Sequence, residues 1–410
     1  MANAAETGVL PCAVIGGGPA GLIAALALAH FKVPVTLVAR RPAGIDNRTT
    51  ALLAGSVAAL EALGVWEACR PYAAPLRVMR IADDTSRLWR APEVRFEAEE
   101  IGLPAFGWNI ENSRLIAALW DRVGATSELD HVDSAAKSIE MGDMRVTITL
   151  SDGVTLAVAL AIGADGRHSL CRKAAGIAVR ERATPQTALT YIMSHARPHH
   201  DISTEFHTEH GPFTVVPLPG NRSSIVCVVA PREAERLAQL SGAALNAEIE
   251  RRCHSILGKV EVEPGHGAFP LMVATAERAA AHRIALVGEA AHVFPPIGAQ
   301  GLNLGLRDAV TIAEVAGAVG PGGDRGADSV TIEYERRRRA DIGGRMLAVD
   351  ILNRSLLSDL LPVQGLRGLG LYALDRVGVL RRALMREGVA PRAATPSLMR
   401  PSDAAAIAVT

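Results

Sequence analysis

The chain has 410 residues, 49% of them apolar and 21% charged, and 43 Lys and Arg balance 43 Asp and Glu. This describes a folded protein of two domains, or one large domain with an insertion, and zero net charge removes the electrostatic case for nucleic-acid binding. The five cysteines (Cys12, Cys69, Cys171, Cys227 and Cys253) contain no CxxC pair, which argues against a disulfide framework or a zinc site and favours a reducing, cytosolic compartment.

"CAVIG" at 12–16 is a short apolar strand ending in glycines, residues 19–30 are rich in Ala and Leu at helical spacing, and "VPVTLVA" at 33–39 has the content of a second strand. Strand, glycine turn, helix, strand is a βαβ unit and implies a parallel sheet. The apolar run 13–29 is broken by Gly-Gly-Gly-Pro and is shorter than the roughly 20 residues needed to span a bilayer. Glu6, with no Lys or Arg, precedes it, so no signal peptide is expected. Residues 47–66 read as a helix ending near Gly64, and 113–124 as a shorter amphipathic one. Alternation from Met144 to Ala161 around "SDG" predicts a hairpin, and "LAIGADG" closes on another buried strand. Strand-like pieces over 186–230 predict an antiparallel sheet with a turn at Pro219-Gly220-Asn221. "RIALVG" at 283–288 returns to the buried-strand style, 302–319 reads as a helix stopped by "GPGG", and 330–387 is largely helical.

The fold class is therefore α/β: a Rossmann-like nucleotide-binding domain, an inserted antiparallel-sheet substrate domain and C-terminal helices. The boundaries are 1–75, 105–185 and 275–330 for the discontinuous nucleotide-binding domain, 76–104 and 186–274 for the substrate domain, 331–390 for the helical region, and 391–410 for a mobile tail.

Three stretches carry chemistry. Gly16-Gly17-Gly18-Pro19-Ala20-Gly21 is a GxGxxG between strand and helix: Gly16 permits the tight turn, Gly18 removes a side chain from the path of a pyrophosphate, and Gly21 lets the helix close on the strand. The acid expected at the end of the second strand is absent, the slot reading Ala39-Arg40-Arg41. An arginine there fits a 2′-phosphate, and equally a ribose held by backbone or water. "IGADGRHSLCRKAAG" at 162–176 places Asp165 between a strand and a helix, where an ordinary N-cap is an equal alternative. "GEAAHVFPPIGAQGLNLGLRD" at 288–308 is stiffened by Pro295 and Pro296, allows close approach at Gly298 and Gly301, and feeds a helix from about Leu302 whose dipole favours negative charge. His292 alone is more often structural than catalytic.

In this order, each after a strand, the three motifs resemble the FAD-dependent aromatic-ring hydroxylases (class A flavoprotein monooxygenases). "RTTALL" early, "PPIGAQGLNLGLRD" and "GLRGLGLYALDRVGVLRRALMREG" late are similar to the ubiquinone-biosynthesis branch, and the likeness spans residues 10–388. The resemblance implies FAD with its pyrophosphate at Gly16, Gly18 and Gly21, Asp165 in the motif linked to FAD and the nicotinamide donor, residue 289 on the ribitol, and the 295–303 loop, with Leu302 and Asn303, bordering the isoalloxazine. Arg48 and Arg114 match flavin-contacting positions more loosely. The family residue at 289 is normally Asp; Glu289 keeps the charge and adds a methylene. The implied reaction uses NAD(P)H and O₂ to hydroxylate the ring of a polyprenyl phenol or quinone precursor through a flavin C4a-hydroperoxide. It needs few acid–base residues, and the sequence names no general base.

The implied partners are a lipophilic aromatic molecule and O₂, with ubiquinone-pathway proteins or the inner-membrane surface as further contacts. Alternatives are another aromatic substrate, a flavoprotein prenyl reductase or a non-catalytic scaffold; the WxWxI signature of flavin halogenases is absent. "YERRRRAD" at 334–341 reads as a solvated face, with a partner or lipid surface as its minority reading, and the leucine-rich 346–385 as a packing segment or a membrane-docking surface.

Overall fold

Apolar runs at Cys12–Ile15, Val35–Val38, Leu160–Gly163 and Ile284–Leu286 become wholly buried strands of one sheet. Such runs need both faces covered, and here they pair in parallel, in the order Ile284–Leu286, Leu160–Gly163, Cys12–Ile15, Val35–Val38, Leu129–Val132. The computed structural model describes residues 10–42, 46–86, 92–296, 299–357, 376–389 and 395–400, together with positions 370 and 372. Helix Pro19–His30 is apolar all round and buried from Gly21 to Ala29, the pattern of a core helix. It packs against helix Gln300–Gly317, so the glycine turn and the late loop meet through their helices.

The second sheet has nine strands. It runs from His292–Val293 through Gly267–Ala276, Val179–His195, Arg222–Val229, Gly211–Leu218 and Ile202–Thr208 to Val78–Asp83 and Val94–Glu97, with Val260–Val262 pairing to Val179–His195. Helices Pro231–Ala238 and Gly242–Arg252 cover one face around Leu189, Phe213, Ile225 and Ile249. The sheet reaches past the 76–104 and 186–274 insertion, because Val179–His195 is one continuous strand and His292–Val293 joins the edge. The late loop thus leaves directly from an edge strand of the second sheet.

Two expectations are revised. The stretch 47–66 is not one helix: Thr49–Leu53 is a strand paired with Gly107–Glu111, and the helix begins at Ala54. β-Branched Thr49 and Thr50 suit a strand, and the side chain of Asn303 fixes the Leu53 amide by accepting from it at 2.9 Å. Within the segment read as a mobile tail, Ser397–Met399 forms a 3₁₀ turn with Met399 buried and Ser397 donating to Glu314. The hairpin at 146–158, the 112–124 helix and the antiparallel pairing of 187–194 with 222–229 agree with the sequence reading. Of the leucine-rich segment read as packing on the body or docking at a membrane, residues 358–369 lie outside the described residues; in helix Gly378–Val389, Met385 and Val389 are buried and Val379, Leu380 and Leu384 are exposed.

Candidate flavin site

The three glycines differ in what they face. At Gly16, φ is +123°, and a Cβ would lie 2.2 Å from the Ala164 carbonyl oxygen; at Gly21 it would lie 2.1 Å from the Gly16 carbonyl oxygen. Both are therefore held to glycine by backbone contact. Around Gly18 nothing lies within 4 Å of an added Cβ. That open space borders the N-terminus of helix Pro19–His30, which has no side-chain cap and Pro19 in its first turn. Uncapped N–H groups and the helix dipole there could hold a pyrophosphate.

In the ribose slot Arg40 donates to Ser151 at 2.9 Å, and Arg41 lies over Trp120 at 5.2 Å. The Ala39 carbonyl is bound by His131 Nε2 at 2.9 Å.

Ser169 is the N-cap of helix Leu170–Ala174, its Oγ accepting from the Arg172 amide at 2.9 Å. Asp165 backs that turn: its carboxylate accepts from Ser169 Oγ at 2.6 Å and from the Leu170 and Cys171 amides at 2.7 and 3.1 Å. Buried Arg172 ties this turn to the late loop, donating to the Ala290 and Arg167 carbonyls at 2.8 and 2.7 Å. Arg167 in turn lies 3.7 Å from Glu289, both side chains about half exposed.

Arg48 forms a fork with Asp46 at 2.8 and 2.7 Å and lies over Phe269 at 5.3 Å. The bond to Asp46 raises its already high pKa, and the charge of Glu289 adds to the effect. From helix Asn112–Gly124 the residue that joins this cluster is Asn112, which donates to Asp46 at 3.0 Å. Arg114 instead stacks on Tyr72 at 4.4 Å.

The late loop begins with the one-turn 3₁₀ helix Gly288–Ala290, which carries Glu289, then passes His292, buried Pro295 and exposed Pro296. Gly298 lies outside the described residues. Ala299 takes a left-handed φ of +54° as the N-cap of helix Gln300–Gly317, which again has no side-chain cap. Gly301 faces open space and Leu302 is half-buried against the core. Asn303 turns inward: Oδ1 accepts from the Leu53 amide and from Ser56 Oγ at 2.7 Å, while Nδ2 donates to the Ala51 and Ala299 carbonyls at 2.8 and 2.6 Å. It bolts "RTTALL" to the Ala299 turn, at a helix start whose N–H groups have no side-chain cap. Those donors could meet the anionic edge of a reduced flavin.

Two uncapped helix N-termini, one on each of two packed helices, and an open glycine at the first of them fit a long dianionic dinucleotide. Residues 9–343 match the family described as FAD binding domain. The chain is 34% identical to the ubiquinone hydroxylase UbiL of Rhodospirillum rubrum over 92% of its own length and 88% of that protein. It is 32% identical to the 3-demethoxyubiquinol 3-hydroxylase of Escherichia coli, over 91% and 97%. The chain belongs to the FAD-dependent hydroxylases. Solved structures share the fold: p-nitrophenol 4-monooxygenase PnpA of Pseudomonas putida at TM-score 0.75 and 17% identity (94% of this chain, 99% of that), and Klebsiella pneumoniae HpxO with FAD at 0.72 and 18% (93% and 98%).

In this FAD-dependent hydroxylase the loop is backed by a buried ion network. Asp308 Oδ2 accepts from the Gly288 amide at 3.0 Å and lies 2.7 Å from His292 Nε2, and Oδ1 accepts from Arg338 Nε at 2.6 Å. Burial alone would raise the Asp308 carboxyl, but His292 and Arg338 hold it below the usual range. Arg338 also reaches Asp341, which binds Arg307 and Arg345, and Arg345 donates to Gln300 at the helix start. The arginine run at 336–339 is thus not wholly a solvated face: Arg336 and Arg339 are exposed, Arg337 pairs with Glu314, and Arg338 is fully enclosed.

Proposed function

We propose that this FAD-dependent monooxygenase hydroxylates the aromatic ring of a polyprenyl phenol or quinone precursor on the way to ubiquinone, taking electrons from NAD(P)H. The observation that carries the substrate is the pair of relatives above 30% identity, each spanning nine-tenths of the chain and each named for a ubiquinone-related hydroxylation. The ubiquinone biosynthesis monooxygenase COQ6 of Danio rerio, 26% identical, points the same way.

FAD supplies the electron transfer and oxygen activation when bound; the chain binds, orients and excludes water. In this reading Gly18 faces the pyrophosphate, Glu289 and Arg48 hold the middle of the cofactor, and the amides after Ala299 face the flavin ring. Pro295 and Pro296 stiffen the boundary of the reaction space. Docking at a membrane surface and contact with other enzymes of the pathway belong to the same proposal; no helix among the described residues is long and apolar enough to cross a membrane. Deletion in a strain with no redundant hydroxylase, followed by lipid mass spectrometry, tests the reading. A prenylated phenol lacking one hydroxyl should accumulate, and unchanged ubiquinone would overturn the assignment.

A further inference from the structure

A cavity of about 1450 Å³ lies away from the glycine turn. It exceeds the roughly 300–1,000 Å³ of sites that enclose a drug-sized ligand. Its floor is Val273 and Ala276 of the second sheet, its wall Ala340 and Ile342 of helix Asp328–Leu357, and its end Phe294 and Pro295 of the late loop. None of Gly16, Gly18, Arg48, Glu289 or Asn303 lines it. Most of the surface it exposes is apolar, and eight of its nineteen lining residues are charged.

Arg278 and Arg339 are exposed, and Ile332 is 60% exposed. Of the acids, Glu277 pairs with Arg180 at 3.1 Å, and Glu335 accepts from the Ala279 amide. A long hydrocarbon fits the apolar part of this surface without polar partners, and the exposed cations suit the anionic surface of the bilayer from which such a chain is drawn.

We propose that this groove holds the isoprenoid tail of the substrate, with the tail's inner end at Phe294–Pro295 on the loop bordering the flavin; the inference rests on the hydroxylase reading above. The loop then has two jobs, one face toward the cofactor and one closing the tail groove. Aromatic substrates without a tail do not use the groove.

The test uses FAD-loaded Ala340→Trp, which fills the groove from an exposed helix position and leaves the core alone. It compares a phenol head group with the same head carrying a farnesyl chain. The expected result is a loss of about tenfold or more in kcat/KM for the farnesylated phenol and none for the bare head. In parallel, a farnesyl probe bearing a diazirine should cross-link peptides containing Val273 or Ile342 in the wild-type holoenzyme. Equal losses on both substrates, no loss on either, or a label mapped elsewhere would each overturn the groove assignment. Cross-linking in the groove by a holoenzyme that turns over neither phenol would keep the tail site and reject the hydroxylase reading.

Discussion

Arg338 donates through Nε to Asp308 at 2.6 Å, and both side chains are wholly enclosed. One member of an arginine run therefore holds the helix at whose start the cofactor's ring would lie. Asp308 passes the constraint to the Gly288 amide and His292, on the strand side of the same loop. Replacing Arg338 by Ala leaves a buried carboxylate without its arginine partner, which costs ~3–5 kcal/mol. Arg336, exposed and paired only with Glu333, should be replaceable by Ala with no change in melting temperature. Denaturant unfolding of the two variants checks the contrast; equal behaviour would mean that burial of Arg338 is unimportant.

The same network sets an acid limit. Asp308 and Asp341 both lie below the ordinary carboxylate value of 3.8; burial pushes each up, but His292 and Arg338 outweigh it at Asp308, and Arg338, Arg307 and Arg345 at Asp341. A carboxyl whose folded pKa lies below its unfolded one stabilises the fold fully above the unfolded value, and that contribution is lost as pH falls toward the folded value. Unfolding free energy should therefore lose this contribution below about pH 4, and Asp308→Asn should shallow the acid limb. Asp308→Asn with an unchanged acid limb would contradict the assignment.

Glycines 18 and 21 separate binding from folding. Gly18→Val should leave the apoprotein's melting temperature in place and abolish FAD uptake, since only open space surrounds the new side chain. Gly21→Ala puts a Cβ 2.1 Å from the Gly16 carbonyl oxygen, and overpacking of this kind costs ~1–3 kcal/mol in the fold itself. Apoprotein melting and FAD titration read both variants. A destabilised Gly18→Val apoprotein would show that the space is not a ligand site.

Glu289 and Asp165 divide in the same way. The Glu289–Arg167 pair is about half exposed and long at 3.7 Å, so Glu289→Ala should spare stability while weakening FAD binding by about tenfold. Asp165→Ala removes a carboxylate that accepts three hydrogen bonds behind the Ser169 N-cap, and should lower apoprotein stability by ~1–3 kcal/mol. Unaltered FAD affinity in Glu289→Ala would place that residue away from the cofactor.

The parts of the site legible in the sequence are those imposed by local backbone demands. Gly16 and Gly21 are glycine because of contacts within one βαβ turn, and the late loop announces itself by its prolines, its glycines and the helix after them. What could not be read depends on residues far apart in the chain. Four consecutive arginines give no hint that the third is buried, because its partner Asp308 lies 30 positions earlier on another helix. Asn303 stands where the resemblance expects a cofactor residue, yet its side chain is consumed by Ala51, Leu53, Ser56 and Ala299. The strand at 49–53 was hidden for the same reason, since its register is set by Gly107–Glu111 and by Asn303. Asn112 displaces Arg114 from the Arg48 cluster by the direction of its side chain at the helix start, which spacing alone does not reveal.

The central claim is ring hydroxylation with oxygen drawn from O₂. Purified FAD-loaded protein supplied with NAD(P)H, a prenylated phenol and ¹⁸O₂ should give a product bearing one added oxygen, labelled, and Gly18→Val should give none. Reductant consumption without labelled product, or a product that has gained hydrogen instead of oxygen, would contradict it.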